Sequence, residues 1–240
     1  MKLVGERRAI AALVLSFYGL FFLLNALMAP PEVQGMFAAL AGVYGLAFFA
    51  LVAGYFWARW YAIGLGLYGL ITTGVALWQL GPEPIFLFFG ATHAVVALGL
   101  WGDSVATLFD GRADWRARFH LDDNGVHRLG KAVIRIGVSL PYILLYALAP
   151  KGAATEALLA LGALGLAGAG TWALLHLRTW GLFALTGAAG LLIADAADGV
   201  NAVTPAGYTP GATLAAAAAG VLLLAAVAPF ARAIAARLRA

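Results

Sequence analysis

Cysteine is absent from the 240 residues, and with it go disulfides, thiolate metal sites and cysteine nucleophiles. Charge is scarce too: 11% of residues are Asp, Glu, Lys or Arg against 63% hydrophobic, too little polar surface to cover a water-soluble fold. Strict polar-apolar alternation is missing, and the apolar runs are about twice the length of a barrel strand, which excludes a β-barrel. No Walker loop, dinucleotide fingerprint, zinc-protease helix or nucleophile elbow occurs. The Gly64-Leu65-Gly66 stretch lies inside an apolar run and is packing texture, not a phosphate cradle.

What is present is a series of eight apolar runs, at approximately 9–29, 36–58, 60–80, 84–102, 131–149, 153–177, 179–197 and 211–231. Each is near the roughly 20 residues a helix needs to cross the hydrocarbon core. The chain therefore reads as an all-α integral membrane protein of eight transmembrane helices. The basic start MKLVGERR precedes a run of span length that continues to Pro30-Pro31 without a small-residue cleavage pattern, so the first helix is expected to stay in place.

Placing both termini in the cytoplasm sorts the basic residues. Lys2, Arg7, Arg8, Arg59, Arg112, Arg116, Arg118, Arg128, Lys131, Arg135, Arg178, Arg232, Arg237 and Arg239 then fall inside and Lys151 outside, as positive-inside bias requires. Glu32, Glu83, Glu156, Asp195 and Asp198 go to the outer side. Trp57, Trp60, Trp101, Trp115, Trp172 and Trp180 gather toward the inner boundary, where an indole keeps its ring in lipid and its N–H among headgroups. The net charge of +4 thus reflects topology and contact with anionic lipid, and no nucleic-acid partner is implied.

Three landmarks recur in order: Ala29-Pro30 with Ala149-Pro150, Arg59-Trp60 with Arg178-Thr179-Trp180, and Gly90-Ala91-Thr92 with Gly211-Ala212-Thr213, at offsets of 120, 119 and 121. They point to a tandem 4+4 parallel repeat, with residues 1–102 and 131–240 as the two four-helix repeats and an axis between them along the membrane normal. Residues 103–130 form a cytoplasmic connector. Val105, Leu108, Phe109, Trp115 and Phe119 fall close to one helical face, which suits an amphipathic segment on the inner surface, and HLDDNGVH reads as a turn. Gly64, Gly66 and Gly69, Gly162, Gly165 and Gly168, and Gly211, Ala215 and Ala219 are the expected packing rows. Pro141 should kink the fifth span.

His93, near the middle of the fourth span, is the first candidate for chemistry, because a titratable group there is costly. It serves as a proton-relay group, a ligand contact, or a structural imidazole hydrogen-bonded to Thr72 or Thr73 of the third span; the structural role is preferred. Haem is disfavoured, since the repeat sets Leu214 where a second histidine belongs, and no cofactor is expected. Asp195, Asp198 and Asn201 step by three at the outer end of the seventh span, opposing the helix dipole, and are preferred as a solvated acidic loop over a cation site. His120, Asp122, Asp123 and His127 resemble a metal set in composition but match no ligand spacing, so no metal site is assigned.

Three readings follow. The first is a non-catalytic accessory or structural subunit that docks with membrane lipids and other integral membrane subunits, with homo-oligomerisation open to it. The second is a small transporter or channel with a pathway between the repeats lined by His93, Thr72 and Thr73 and opening near Asp195 and Asp198. The third, a lipid- or quinone-acting enzyme, has only His93 to work with. Heavy use of alanine, glycine, leucine and arginine suggests a GC-rich bacterial genome, and with it a bacterial inner membrane.

Overall fold

The computed structural model describes residues 3–110, 123–151, 153–201 and 210–231. Among these it forms nine α-helices and one short 3-10 turn. In chain order the helices are α1 (Leu3–Met28), α2 (Pro31–Ala53), α3 (Ala58–Leu80), α4 (Pro84–Gly99), α5 (Asp103–Asp110), α6 (Asp123–Leu148), α7 (Ala154–Leu175), α8 (Trp180–Asn201) and α9 (Pro210–Val227). Seven are long and apolar enough to cross a membrane. An eighth span exists if Pro84–Gly99 and Asp103–Phe109, bent by 73° relative to each other, count as one.

Helix ends follow backbone chemistry where hydropathy does not. The second span is expected over 36–58, yet α2 runs from Pro31 to Ala53. Pro31 begins it because a first-turn residue needs no N–H partner, and Gly54 ends it at φ 74, donating its N–H to the Ala50 and Leu51 carbonyls. Tyr55, Phe56 and Trp57 then prolong the apolar run through a turn, as interfacial aromatics do. Asp123, Asn124 and Gly125, expected in a turn, instead open α6. Asp and Asn favour turns and helix starts for the same reason, a short side chain that bonds nearby backbone N–H groups.

The chain divides into two compact units, Met1–Asp122 and Asp123–Ala240, so the division falls within the expected connector and α6 takes up its last part. In the first unit α1 lies along α2 and α3 along α4, and contacts of α1 with α4 and α2 with α3 close the ring. Leu15, Tyr44, Leu51, Tyr61, Ile63 and Leu65 fill its core. The second unit closes in the same order, α6 on α7, α7 on α8, α8 on α9 and α9 on α6, around Ile136, Ile143, Leu185 and Leu192.

Arginines seal the helix C-termini at one end of each unit. Arg8 donates from Nε and Nη2 to the Leu51 carbonyl (3.1 and 2.7 Å) and from Nη2 to that of Val52 (2.8 Å). Arg7 reaches the Leu98 and Trp101 carbonyls at 3.2 and 2.6 Å, and Arg59 that of Leu100 at 3.0 Å. In the second unit Arg135 reaches the Ala225 carbonyl at 2.5 Å. A helix leaves its last carbonyls without partners and carries partial negative charge there, so each guanidinium supplies both donors and compensating charge.

After α4 the backbone turns at Gly102, φ 109, into α5. Val105 and Phe109 are buried, whereas Leu108 is 44% exposed, so the apolar face expected of the connector is narrower than its sequence implies. Trp115 and Phe119 lie outside the described residues.

Candidate functional site

The closest helix approach in the first unit builds the surroundings of His93. A Cβ placed on Gly69 of α3 would stand 2.0 Å from His93 Cδ2, and one on Gly66 would stand 2.8 Å from the Ala97 nitrogen. From the other side, a Cβ on Gly90 of α4 would meet Thr73 Cγ2 at 2.7 Å. Two helices meet this closely only where side chains are missing, so α3 carries a notch and the imidazole fills it.

His93 is 1% exposed, and both ring nitrogens are engaged. Nδ1 lies 2.8 Å from the Phe89 carbonyl; a carbonyl only accepts, so Nδ1 carries the proton. In the neutral ring Nε2 then offers its lone pair to the Tyr44 hydroxyl of α2 at 2.7 Å. The rings of Phe89, Tyr18 and Tyr44 surround the imidazole at centroid distances of 4.0, 4.6 and 5.8 Å. Tyr18 of α1 donates to Thr92 Oγ1 at 2.7 Å, since the one Thr92 proton is taken by the Phe88 and Phe89 carbonyls. Helices α1, α2 and α4 are thereby joined through polar atoms inside an otherwise apolar core.

A second polar cluster belongs to the other unit. The Tyr146 hydroxyl of α6 donates to Asp195 Oδ2 on α8, and Asp195 is only 5% exposed. Lys151, in the loop after α6, sets Nζ 3.4 Å from the centre of the Tyr146 ring, a close cation–π contact. Burial pulls the Lys151 ammonium below the usual lysine value, opposed by the negative fields of Asp195 and Glu156. Glu156 Oε2 is buried without a hydrogen-bond partner.

The sequence-based candidates separate accordingly. His93 does not bond Thr72 or Thr73: Thr73 packs against Gly90 with its hydroxyl oxygen unpartnered, and Thr72 is half-buried on the same helix. Asp195 is no part of a solvated loop, because α8 continues past it to Asn201. Asp198 is in that helix, but its side chain lies outside the described residues, as do His120, Asp122 and the Asp123 side chain. Among the described residues no three His, Asp or Glu side chains come together in a metal-binding group. Leu214, the position where the sequence expectation set a counterpart of His93, is 66% exposed. Gly165 and Gly168 have nothing within 4 Å of where a Cβ would stand, so they make no close helix approach; Gly170 and Gly181 do, a Cβ on Gly181 falling 2.7 Å from the Gly170 carbonyl oxygen. On α9 the buried row is Ala216, Ala219 and Leu223, with Ala215 half-buried.

The partners that sequence reasoning missed are Tyr18, Tyr44 and Tyr146. A signal for them existed: a tyrosine well inside an apolar run brings a hydroxyl that needs a partner, and each run that holds such a tyrosine faces a run with His, Thr or Asp.

No protein-family model matches the chain, and neither a curated protein nor a solved structure does. The class rests on the chain itself: helices of this length and composition make it a multi-pass α-helical membrane protein.

Proposed function

We propose that this protein is a non-catalytic accessory or structural subunit that docks with other integral membrane proteins and with lipids. The observation that carries the reading is the state of its intramembrane polar groups. His93 is bonded at both nitrogens and wedged in a glycine notch, and Asp195 is bonded to Tyr146, so each is used to join helices of its own unit. An enzyme needs converging polar groups with space for a reacting atom, and the surroundings of His93 are filled by rings. Outward, Leu13, Phe17, Leu20, Phe21 and Leu24 of α1 are exposed together with Phe88 of α4, and Phe17 meets Phe88 edge-on at 6.3 Å. This aromatic face suits a partner helix.

The chain sits in a bacterial inner membrane with both termini cytoplasmic and arose by duplication of a four-helix unit; the shared order of helix packing in the two units supports the duplication. Native mass spectrometry after gentle extraction from the source membrane tests the subunit reading. Stoichiometric partner proteins are expected, and a bare monomer or closed homo-oligomer overturns it.

Transport is the second reading, favoured by one observation: a carboxylate buried near the end of a span and in the field of a lysine, as at Asp195 and Lys151, is the type of group that ion pathways use. Solute flux into proteoliposomes that is lost in Asp195→Asn would establish it, and equal flux in protein-free liposomes would dismiss it.

A further inference from the structure

Between α1 and α2 the surface opens into a groove of about 540 Å³ floored by Gly19, Ala38, Ala41, Gly42 and Gly45. Gly42 and Gly45 have nothing within 4 Å of where a Cβ would stand, so the groove is open above them, while at its base Gly19 of α1 lies against the backbone of Gly45 and Ala41 of α2. Its one hydroxyl, on Ser16, is spent on the Leu13 carbonyl at 2.9 Å, leaving an apolar channel. From Ala38 to Phe49 the groove follows α2 for about 17 Å at the helical rise. That is close to half of the roughly 30 Å hydrocarbon core, the depth of one leaflet.

One end of this channel carries charge. Val52 continues the row of Gly45, Phe48 and Phe49 at helical spacing, and its carbonyl is held by Arg8. Arg8 uses Nε and Nη2 on α2, while its Nη1 makes no hydrogen bond among the described residues. No carboxylate among the described residues lies within ion-pair reach of the Arg8 guanidinium, which stands 5.5 Å from the centre of the Phe109 ring. Arg7, the preceding residue of α1, is turned instead to the Leu98 and Trp101 carbonyls. An apolar channel one leaflet deep, followed by a cation with no carboxylate partner among the described residues, has the chemistry of a phospholipid in section.

We propose that the groove between α1 and α2 binds one acyl chain of an anionic phospholipid whose phosphate is held by Arg8. The inference needs only the membrane-spanning fold and stands whichever function holds.

The test is lipid retention by the purified full chain, reconstituted in vesicles of equal phosphatidylglycerol and phosphatidylcholine with matched acyl chains, extracted gently and weighed by native mass spectrometry. One phosphatidylglycerol per chain is expected in preference to phosphatidylcholine. Gly42→Leu, which fills open space, should lose the retained lipid. Arg8→Gln should keep a lipid but lose about fivefold in selectivity for the anionic headgroup, the contribution of one basic residue near a membrane surface. Gly168→Leu, at an open glycine of the other unit, should behave as wild type, and thermal unfolding of each variant identifies any that fails to fold. Equal retention of the two lipids by wild type, unchanged retention in Gly42→Leu, or unchanged selectivity in a folded Arg8→Gln would each overturn the proposal.

Discussion

Tyr44 and His93, 49 residues apart in the chain, are joined by a 2.7 Å hydrogen bond inside the first unit. That bond ties α2 to α4, and because the Phe89 carbonyl takes the Nδ1 proton of the ring, Nε2 accepts from the Tyr44 hydroxyl. Removing the phenol leaves a lone pair with nothing to accept from. Tyr44→Phe should therefore destabilise the protein by about 1 kcal/mol. In a His93→Leu background the same change should cost less, with a coupling of about 0.6 kcal/mol and at most about 1.7 kcal/mol, the average and upper limit for hydrogen bonds between helices in lipid. Unfolding of the four proteins in mixed micelles measures it, and strictly additive losses would contradict the assignment.

Two glycines should respond in opposite directions to the same methyl group. At Gly69 a Cβ would enter the His93 ring, so Gly69→Ala should cost at least about 1–3 kcal/mol. At Gly168 nothing lies within 4 Å, so Gly168→Ala should stabilise α7 by up to about 1 kcal/mol. Comparing the two by denaturant titration separates a helix contact from glycine used without one.

Lys151 gives the second unit a signature in alkaline solution. Burial lowers its folded value below that of the unfolded chain. Between the two values the unfolded state holds more protons, so stability should rise with pH as it climbs from the folded value toward 10.5, and be flat in this respect outside that window. Lys151→Met should remove that part of the rise. Unfolding midpoints for both proteins from neutral to alkaline pH provide the comparison, and identical slopes would show that Lys151 is not buried against Tyr146.

Orientation can be read directly because there is no native cysteine to interfere. With both termini cytoplasmic, a Glu32→Cys variant in intact cells should react with an impermeant maleimide, and Asp103→Cys should react only after permeabilisation. The opposite pattern would invert the topology.

Much of the fold was legible because a membrane span is written as a long apolar run, and each of the eight runs falls on helical structure. The ends were less legible where composition and backbone diverge. Tyr55, Phe56 and Trp57 read as span but form a turn, and Asp123 to Gly125 read as a turn but start a helix. Around His93 the residue and its depth can be read from the chain, while the partner depends on which helices become neighbours. The threonines of α3 were the nearest polar groups by span order, but the ring rotates toward Tyr44 because Gly69 admits its body and Phe89 fixes its Nδ1 proton. Glycine rows failed for a related reason: spacing identifies a smooth face, and only packing reveals whether another helix uses it.

The imidazole in the Gly69 notch also acts as a dowel between α3 and α4. Sliding α4 by one helical turn would drive the ring onto Leu65 or Thr73, the neighbours of Gly69 four positions away on the same face, where a side chain already stands. The pair can therefore hold one register and no other. Any working movement of the first unit has to spare this joint and be borne where the helices meet more loosely, such as across the contact between α2 and α3.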